Sequence, residues 1–243
     1  MVSRRQPTGQ FFRWLESYSE PTKNPPSLIR KYKDSDAWLW TEVAAVVIGL
    51  AFVIPTAIAL WIDLADRKLQ RIAQAWETVT RTAPGNSGKG PALEYLNSQE
   101  IPLVGIDLSE ESNQGQSYLR GVNLSGANLH HSDLTGAQLQ GANLSGANLA
   151  SVKLLNAQLE DADLTGVQLI NADLSDAYLR SVDLTGANLD SVNLAGATLS
   201  YVNLTGADLK NTYNLYEAQI RNACGNYMTT LPSELTIKTC AID

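Results

Sequence analysis

From Leu124 to Leu209 every fifth residue is leucine, eighteen times in succession, and Leu119 is in phase with them. Neither regular element has that period, because a helix repeats every 3.6 residues and a strand every two. Two residues before each of the eighteen leucines stands Ala eleven times, Val six times and Ser once, at Ser132. Asn or Asp directly precedes most of the leucines, and Ser or Thr, then often Gly, comes after. Residues i−2 and i of an extended chain point to the same side, so the small residue and the leucine face inward together and the Asn or Asp between them faces out. An odd period then requires a corner in every repeat. A chain that turns the same way at each corner closes into a coil, and successive coils stack at roughly the 4.8 Å strand spacing. Burying each leucine contributes roughly 1.5–3 kcal/mol, offset by the ordering of five backbone residues. One repeat cannot stand alone; the stack can.

The tandem A-[DN]-L-x-x pattern resembles the pentapeptide-repeat family. The resemblance covers about residues 117–211. It implies a mostly β fold, a right-handed quadrilateral parallel β-helix (a solenoid) with four repeats per coil. Nineteen in-phase repeats make about 4.75 coils, a rod of roughly 23 Å.

Both ends read as caps. Upstream, Ile101/Leu103 and Ile106/Leu108 keep the i−2/i pairing but are out of phase with Leu119 by one residue, and SEESNQGQ (109–116) absorbs the slip as a protruding loop. PALEYLNSQE (91–100) reads as a short helix over the first coil, so 91–116 is an N-terminal cap with degenerate repeats. Downstream, 212–243 reads as a C-terminal capping helix and tail. Asn214, with Glu217 three residues later, makes a capping-box-like start for NLYEAQIRNACG, and Gly225 a stop. A stack needs such covers, since its last coil exposes leucines and an unpaired strand edge.

The first third of the chain has a different alphabet: all five Trp and all three Phe lie before residue 77. Residues 43–62, VAAVVIGLAFVIPTAIALWI, carry no charge over twenty positions. A helix of that length spans roughly 30 Å, the hydrocarbon thickness of a bilayer. Trp38 and Trp40 precede the run and Trp61 closes it, as interfacial residues do. We read a retained single transmembrane helix; the run is too long and starts too late for a cleaved signal peptide. Basic residues tie at the two membrane flanks, while the whole 1–42 tail leans toward an N-inside orientation. That tail is basic, contains Pro21, Pro25 and Pro26, and carries FFRWLESY (11–18), whose Phe11, Phe12 and Trp14 can lie at a lipid interface or in a partner. In 63–82, Leu69, Ile72, Ala73, Trp76 and Val79 form an amphipathic helix, packed on its own domain or on a partner. APGNSGKGP (83–91) reads as a flexible linker. It lacks the spacing and the Ser or Thr of a phosphate loop.

Nothing in the sequence assembles a catalytic, cofactor or metal site. His130 and His131 stand at outward or corner positions with no cysteine nearby. The recurrent Asp residues follow the repeat and form no acid–base pair. The net charge of −7 argues against nonspecific nucleic-acid binding. We therefore expect no enzyme, no cofactor and no nucleic-acid partner. Cys224 and Cys240 could close a sixteen-residue step across the C-terminal cap, which would indicate an oxidising compartment. The alternative is one small buried thiol and one tail residue.

What varies is the outer surface, read every twenty residues. One side is uniformly polar, from Asn123-Ser125 to Asn203-Thr205. The side before it carries Tyr118, Arg120, Tyr178, Arg180, Thr198 and Tyr201, residue types favoured at interfaces. Leu155 and Ile170 also point outward by register. These form a candidate partner contact, with a plain solvated side as the competing reading. The anchor, the GNSGKGPALEYLNSQEIPLVGIDLS stretch and the tandem repeats together resemble membrane pentapeptide proteins of cyanobacteria. That resemblance implies a thylakoid or bacterial plasma membrane, with the β-helix on the lumenal or periplasmic side. The expected function is a non-catalytic scaffold or subunit that binds a membrane protein complex, for instance a photosynthetic one. Family resemblance also allows a DNA-mimicking topoisomerase inhibitor, though nine acidic and four basic residues in 117–211 give a net charge of only −5 there. A transient assembly or regulatory factor is the third reading. The sequence does not fix the oligomeric state.

Overall fold

The structure is a computed structural model that describes residues 36–81, 88–109 and 119–240. Phe11, Phe12, Trp14 and Tyr118 lie outside the described residues. The chain divides into two units, Met1–Asp66 and Arg67–Asp243, taken here in turn.

In the first unit the described residues belong to helix α1 (Asp36–Thr80), which continues into the second unit. Trp38 and Trp40 fall within it. It holds a stretch long and apolar enough to cross a membrane. Val46, Ile48, Phe52, Ile54, Leu60, Trp61 and Leu64 are all exposed. Pro55 has no N–H to give the carbonyl one turn back. The Thr56 hydroxyl donates back to the Phe52 carbonyl at 2.8 Å, so its polar group is paired within the apolar helix.

In the second unit the twenty-residue period becomes the geometry. Parallel bridges join Asn123 to Asn143, Asn143 to Asp163, Asp163 to Asp183 and Asp183 to Asn203. Three more columns run the same way through Asn128, Asp133 and Gln138, so each coil carries four bridge positions. The fold is a parallel β-helix, with every in-phase leucine from Leu119 to Leu209 in the core, joined from Leu124 on by its i−2 partner.

A single repeat, 142–146, accounts for all five of its backbone amides. Ala142 N–H closes the corner on the Leu139 carbonyl (3.0 Å), and Asn143 N–H reaches the coil before, at the Val122 carbonyl (2.9 Å). Leu144 and Gly146 N–H groups donate to the coil after, at the Asp163 and Thr165 carbonyls (2.8 Å each). That leaves Ser145 N–H, which the Asn143 side-chain oxygen accepts at 3.0 Å. Every Asn and Asp at the bridge position from Asp107 to Asp208 accepts the amide two residues on in this way. The recurring Asn/Asp is thus an Asx turn that satisfies the one donor the stacking leaves over. Asn143→Leu should lower stability by about 1 kcal/mol, while Asn143→Asp should stay near wild type; urea unfolding midpoints of the two variants check this. The second residue after each leucine from Leu119 to Leu204 is left-handed, as at Gly146 (φ 65°), which is why Gly, Asn, Asp and Ser dominate there.

The first coil begins earlier than the unbroken count. Asp107 bridges Asp133 across twenty-six residues instead of twenty, so six extra residues fall between Leu108 and Leu119. Leu103 and Leu108 are fully buried and belong to this coil. Ser132, the one polar i−2 residue, donates its hydroxyl to the Leu103 carbonyl at 3.0 Å. The linker reading ends sooner than expected, because helix α2 (Lys89–Ser98) already includes Lys89, Gly90 and Pro91. A first-turn proline is compatible with a helix, since its missing N–H would have no helical partner there. Helix α2 buries Ala92, Leu93 and Leu96. Its polar groups stand in for a coil below the first. Glu94 accepts the Asn123 amide (2.8 Å), and the Asn97 side chain donates to the Ser125 carbonyl (3.0 Å). Of the amphipathic stripe, Ile72, Trp76 and Val79 pack on this core together with Ala75. Leu69 and Ala73 are exposed, a correction to the predicted face.

The C-terminal cap also differs from expectation. Helix α3 is a single turn, Glu217–Ile220, and starts from Tyr216, whose amide donates to the Gln219 side chain at 2.8 Å. Asn214 is left-handed (φ 58°), which an N-cap residue is not, and its side chain donates to Asn193 instead. Gly225 does not stop a helix. It lies in strand β1 (Cys224–Gly225), where a Cβ would meet the Thr229 hydroxyl at 2.6 Å. Strand β2 (Lys238–Thr239) pairs in parallel with β1, Cys224 opposite Lys238 and Gly225 opposite Thr239. Cys224 and Cys240 are joined as a disulfide with Cα atoms 4.7 Å apart.

Candidate interaction surface

The corners and bridge columns decide what the β-helix shows to solvent. The column through Asn123, Asn143, Asp163, Asp183 and Asn203 is polar throughout, each member held in its Asx turn. The column through Gln138, Gln158, Tyr178 and Thr198 is different. Tyr178 is 49% exposed and Arg180 follows it at the next corner, also exposed. Tyr201, 65% exposed, is left-handed (φ 63°), and its amide donates to the Asn222 carbonyl in the cap. Arg120 is exposed at the same corner of the first described coil. Leu155 and Ile170 occupy outward register but are half-buried, so they offer less apolar area than their positions suggest.

Between the two arginines the column is polar and partly closed. The Gln140 side chain donates to Gln158. Gln140 Oε1 and Glu160 Oε2 are buried without a hydrogen-bond partner. The upper half of the side, with Tyr178, Arg180 and Tyr201, is therefore the part that offers large exposed groups.

Four exposed side chains were not singled out in the sequence: Tyr213, Tyr216, Tyr227 and Met228. Tyr213 had a signal. It stands five residues after Asp208 and bridges Asn193 across the usual twenty residues, although its repeat lacks the leucine. Tyr216, Tyr227 and Met228 belong to the irregular cap and carry no periodic mark.

The His130 and His131 rings lie tilted against each other at 50°, with centroids 3.7 Å apart. Among the described residues no group of three or more His, Cys, Asp or Glu is placed to hold a metal. Two carboxyls are tuned by structure. At Asp133 burial pushes the carboxyl up, but hydrogen bonds from Thr135 and Lys153, whose ammonium lies 3.0 Å away, outweigh it and hold the group below its ordinary value. At Asp208 the Thr230 hydroxyl, helped by the Lys210 amide, has the same effect. A depressed folded-state pKa contributes stability above the unfolded value of about 3.9 and loses it as pH falls through the folded value. Thermal midpoints should therefore drop below about pH 4. The drop should be shallower in Asp133→Asn/Asp208→Asn, which keeps the acceptors and removes the titration.

A stacked coil with a satisfied backbone, closed on a column of leucines, defines a β-solenoid. The pentapeptide-repeat family model matches in eight copies, over residues 115–149, 142–180, 177–213 and 187–224. The chain belongs to the pentapeptide-repeat family. It is similar to the pentapeptide repeat protein Rfr23 from the cyanobacterium Cyanothece 51142, at 30% identity over 56% of this chain and 95% of that one, with a TM-score of 0.38. It is also similar to HetL, a pentapeptide repeat protein involved in heterocyst differentiation regulation in Nostoc sp. strain PCC 7120 (27% identity, 53% and 67% of the chains, TM-score 0.30). A third similar structure is a pentapeptide repeat protein from the Arabidopsis thaliana thylakoid lumen (27% identity, 50% and 79%, TM-score 0.28). No curated protein matches the chain.

Proposed function

We propose that this protein is a membrane-tethered, non-catalytic scaffold whose β-helix, wound right-handed with a quadrilateral section, binds a protein partner within a membrane complex. The observation that carries the reading is the exposed apolar stretch of α1 in a chain whose other described unit keeps its in-phase leucines in a closed core. Such a stretch is stable in lipid and costly in water. The Tyr178, Arg180 and Tyr201 surface is the contact, because Tyr and Arg bury large area while their polar ends stay paired. Trp38, Trp40 and Trp61 anchor at the interface, and Phe11, Phe12, Trp14, Tyr118 and Arg120 extend the contact. A thylakoid or bacterial plasma membrane, with the β-helix on its lumenal or periplasmic side, agrees with the Cys224–Cys240 pair.

The test is purification through a C-terminal tag in mild detergent, with particle size and co-purifying chains recorded. A large particle with stoichiometric membrane subunits supports the scaffold; a lone protein overturns it in favour of a transient factor. Tyr178→Ala/Arg180→Ala should release the partner, and unchanged association would remove that side as the contact. A C-terminal reporter active only in the cytoplasm would overturn the topology.

A further inference from the structure

The structure assigns the Cys224–Cys240 pair as a redox latch on the last coil, a site for thiol–disulfide exchange with a dithiol reductant. The two strands that the bond joins are held very unequally. β1 belongs to the stack: Cys224 N–H donates to the Val202 carbonyl (3.0 Å), Leu204 N–H donates to the Cys224 carbonyl (2.7 Å), and Gly225 is buried. β2 lies beyond it and is held by two paired residues, the Cys240 amide on the Gly225 carbonyl (2.9 Å) and the Thr205 hydroxyl 3.4 Å from the Cys240 sulfur. Lys238 and Thr239 are exposed, and Ile237 and Leu235 are only half-buried against the core. Pairing over two residues is too short to persist unaided. The covalent link closes the sixteen-residue step and keeps the strand in place.

Both cysteines are half-buried at the end of the stack, not sealed within it. A thiolate of the reductant attacks one of the two sulfurs and forms a mixed disulfide. The other cysteine leaves as a thiolate and takes a proton from water. The reductant's second thiolate then displaces the first cysteine, so the reductant ends as its own disulfide and the protein holds two thiols. β2 is then free to leave, and β1 keeps its bonds to the coil before it. The Gly225 carbonyl loses its partner, and the last coil presents an open strand edge. The repeats from Leu119 to Leu209 do not depend on the bond.

The experiment is hydrogen exchange followed by mass spectrometry on the full chain in detergent, oxidised, treated with dithiothreitol, and reoxidised. Free thiols are trapped by alkylation at the moment of purification. A latch predicts no free thiol at purification, and exchange at 231–240 faster by about 100-fold on reduction. The repeats should be unchanged, and reoxidation should restore protection. Cys224→Ser/Cys240→Ser should match the reduced protein. Two alkylated thiols at purification would overturn the proposal. So would equal protection at 231–240 in both states, resistance of the bond to dithiothreitol in the folded protein, or loss of protection through the repeats on reduction.

Discussion

Leu164→Asp should unfold the repeat region at temperatures where the parent protein is fully folded. Leu164 lies in the middle of the stack with no exposed surface. Truncating a buried leucine to alanine costs about 2–5 kcal/mol, and an aspartate in its place adds a charge with no partner. A solenoid amplifies this damage, because each coil contacts only its neighbours and a failed coil uncouples the segments on either side. Leu155→Asp is the control. Leu155 is also a leucine, nine residues earlier, but it stands at a corner and is half-buried. Its replacement should cost about 1 kcal/mol or less. Circular dichroism melts of both variants in the same detergent measure the contrast. Equal loss from the two would mean that the five-residue register does not decide which leucines form the core.

That register was fully legible in the sequence, because a strict period leaves no freedom in which residue faces inward. The ends were legible only in part. The slip between Leu108 and Leu119 reads as one residue, whereas the structure spaces the bridge columns by six extra residues. One and six are the same phase in a count of five, so the pattern alone could not separate them. Glu94 and Asn97 replace the missing coil through contacts 29 and 28 residues away in sequence, and no local signal marks such pairs. At the other end, Asn214 and Glu217 have the spacing of a capping box, but the chain is still completing a coil there. Tyr213 bridges Asn193, and Leu215 reaches the core one position late. The stacking requirement overrides the helix-start signal, and α3 begins only at Glu217. Of the exposed large side chains, the Tyr178–Arg180 pair followed from counting by twenty, while Tyr216, Tyr227 and Met228 depended on the irregular path of the cap.

The same geometry predicts that removing twenty residues should be milder than removing one. Deleting 150–169 joins Leu149 to Ile170, keeps Leu174 five residues after Leu149, and preserves every bridge column. The product is a stack shorter by one coil, with its caps intact and the corners still aligned. In a chain of nearest-neighbour contacts this removes one coil's share of stability and leaves cooperative unfolding in place. Deleting Gln158 alone places Ala157 directly before Leu159. One of the two must then turn outward, since adjacent residues on an extended chain face opposite sides. Turning Leu159 out forfeits a fully buried side chain, at about 2–5 kcal/mol. Keeping it in stretches a side that is already extended, and a trans backbone reaches at most about 3.6 Å per residue. Insertions escape this dilemma because surplus residues can leave the coil. The one extra residue that makes Asn203 bridge Cys224 across twenty-one does so, and Asp107 still bridges Asp133 across twenty-six. We therefore expect the twenty-residue deletion to melt as a single transition somewhat below the parent. The single deletion should melt far lower or fail to fold. Melting curves of the two variants, read beside an insertion of one glycine after Gln158, give the comparison, with the insertion falling between them.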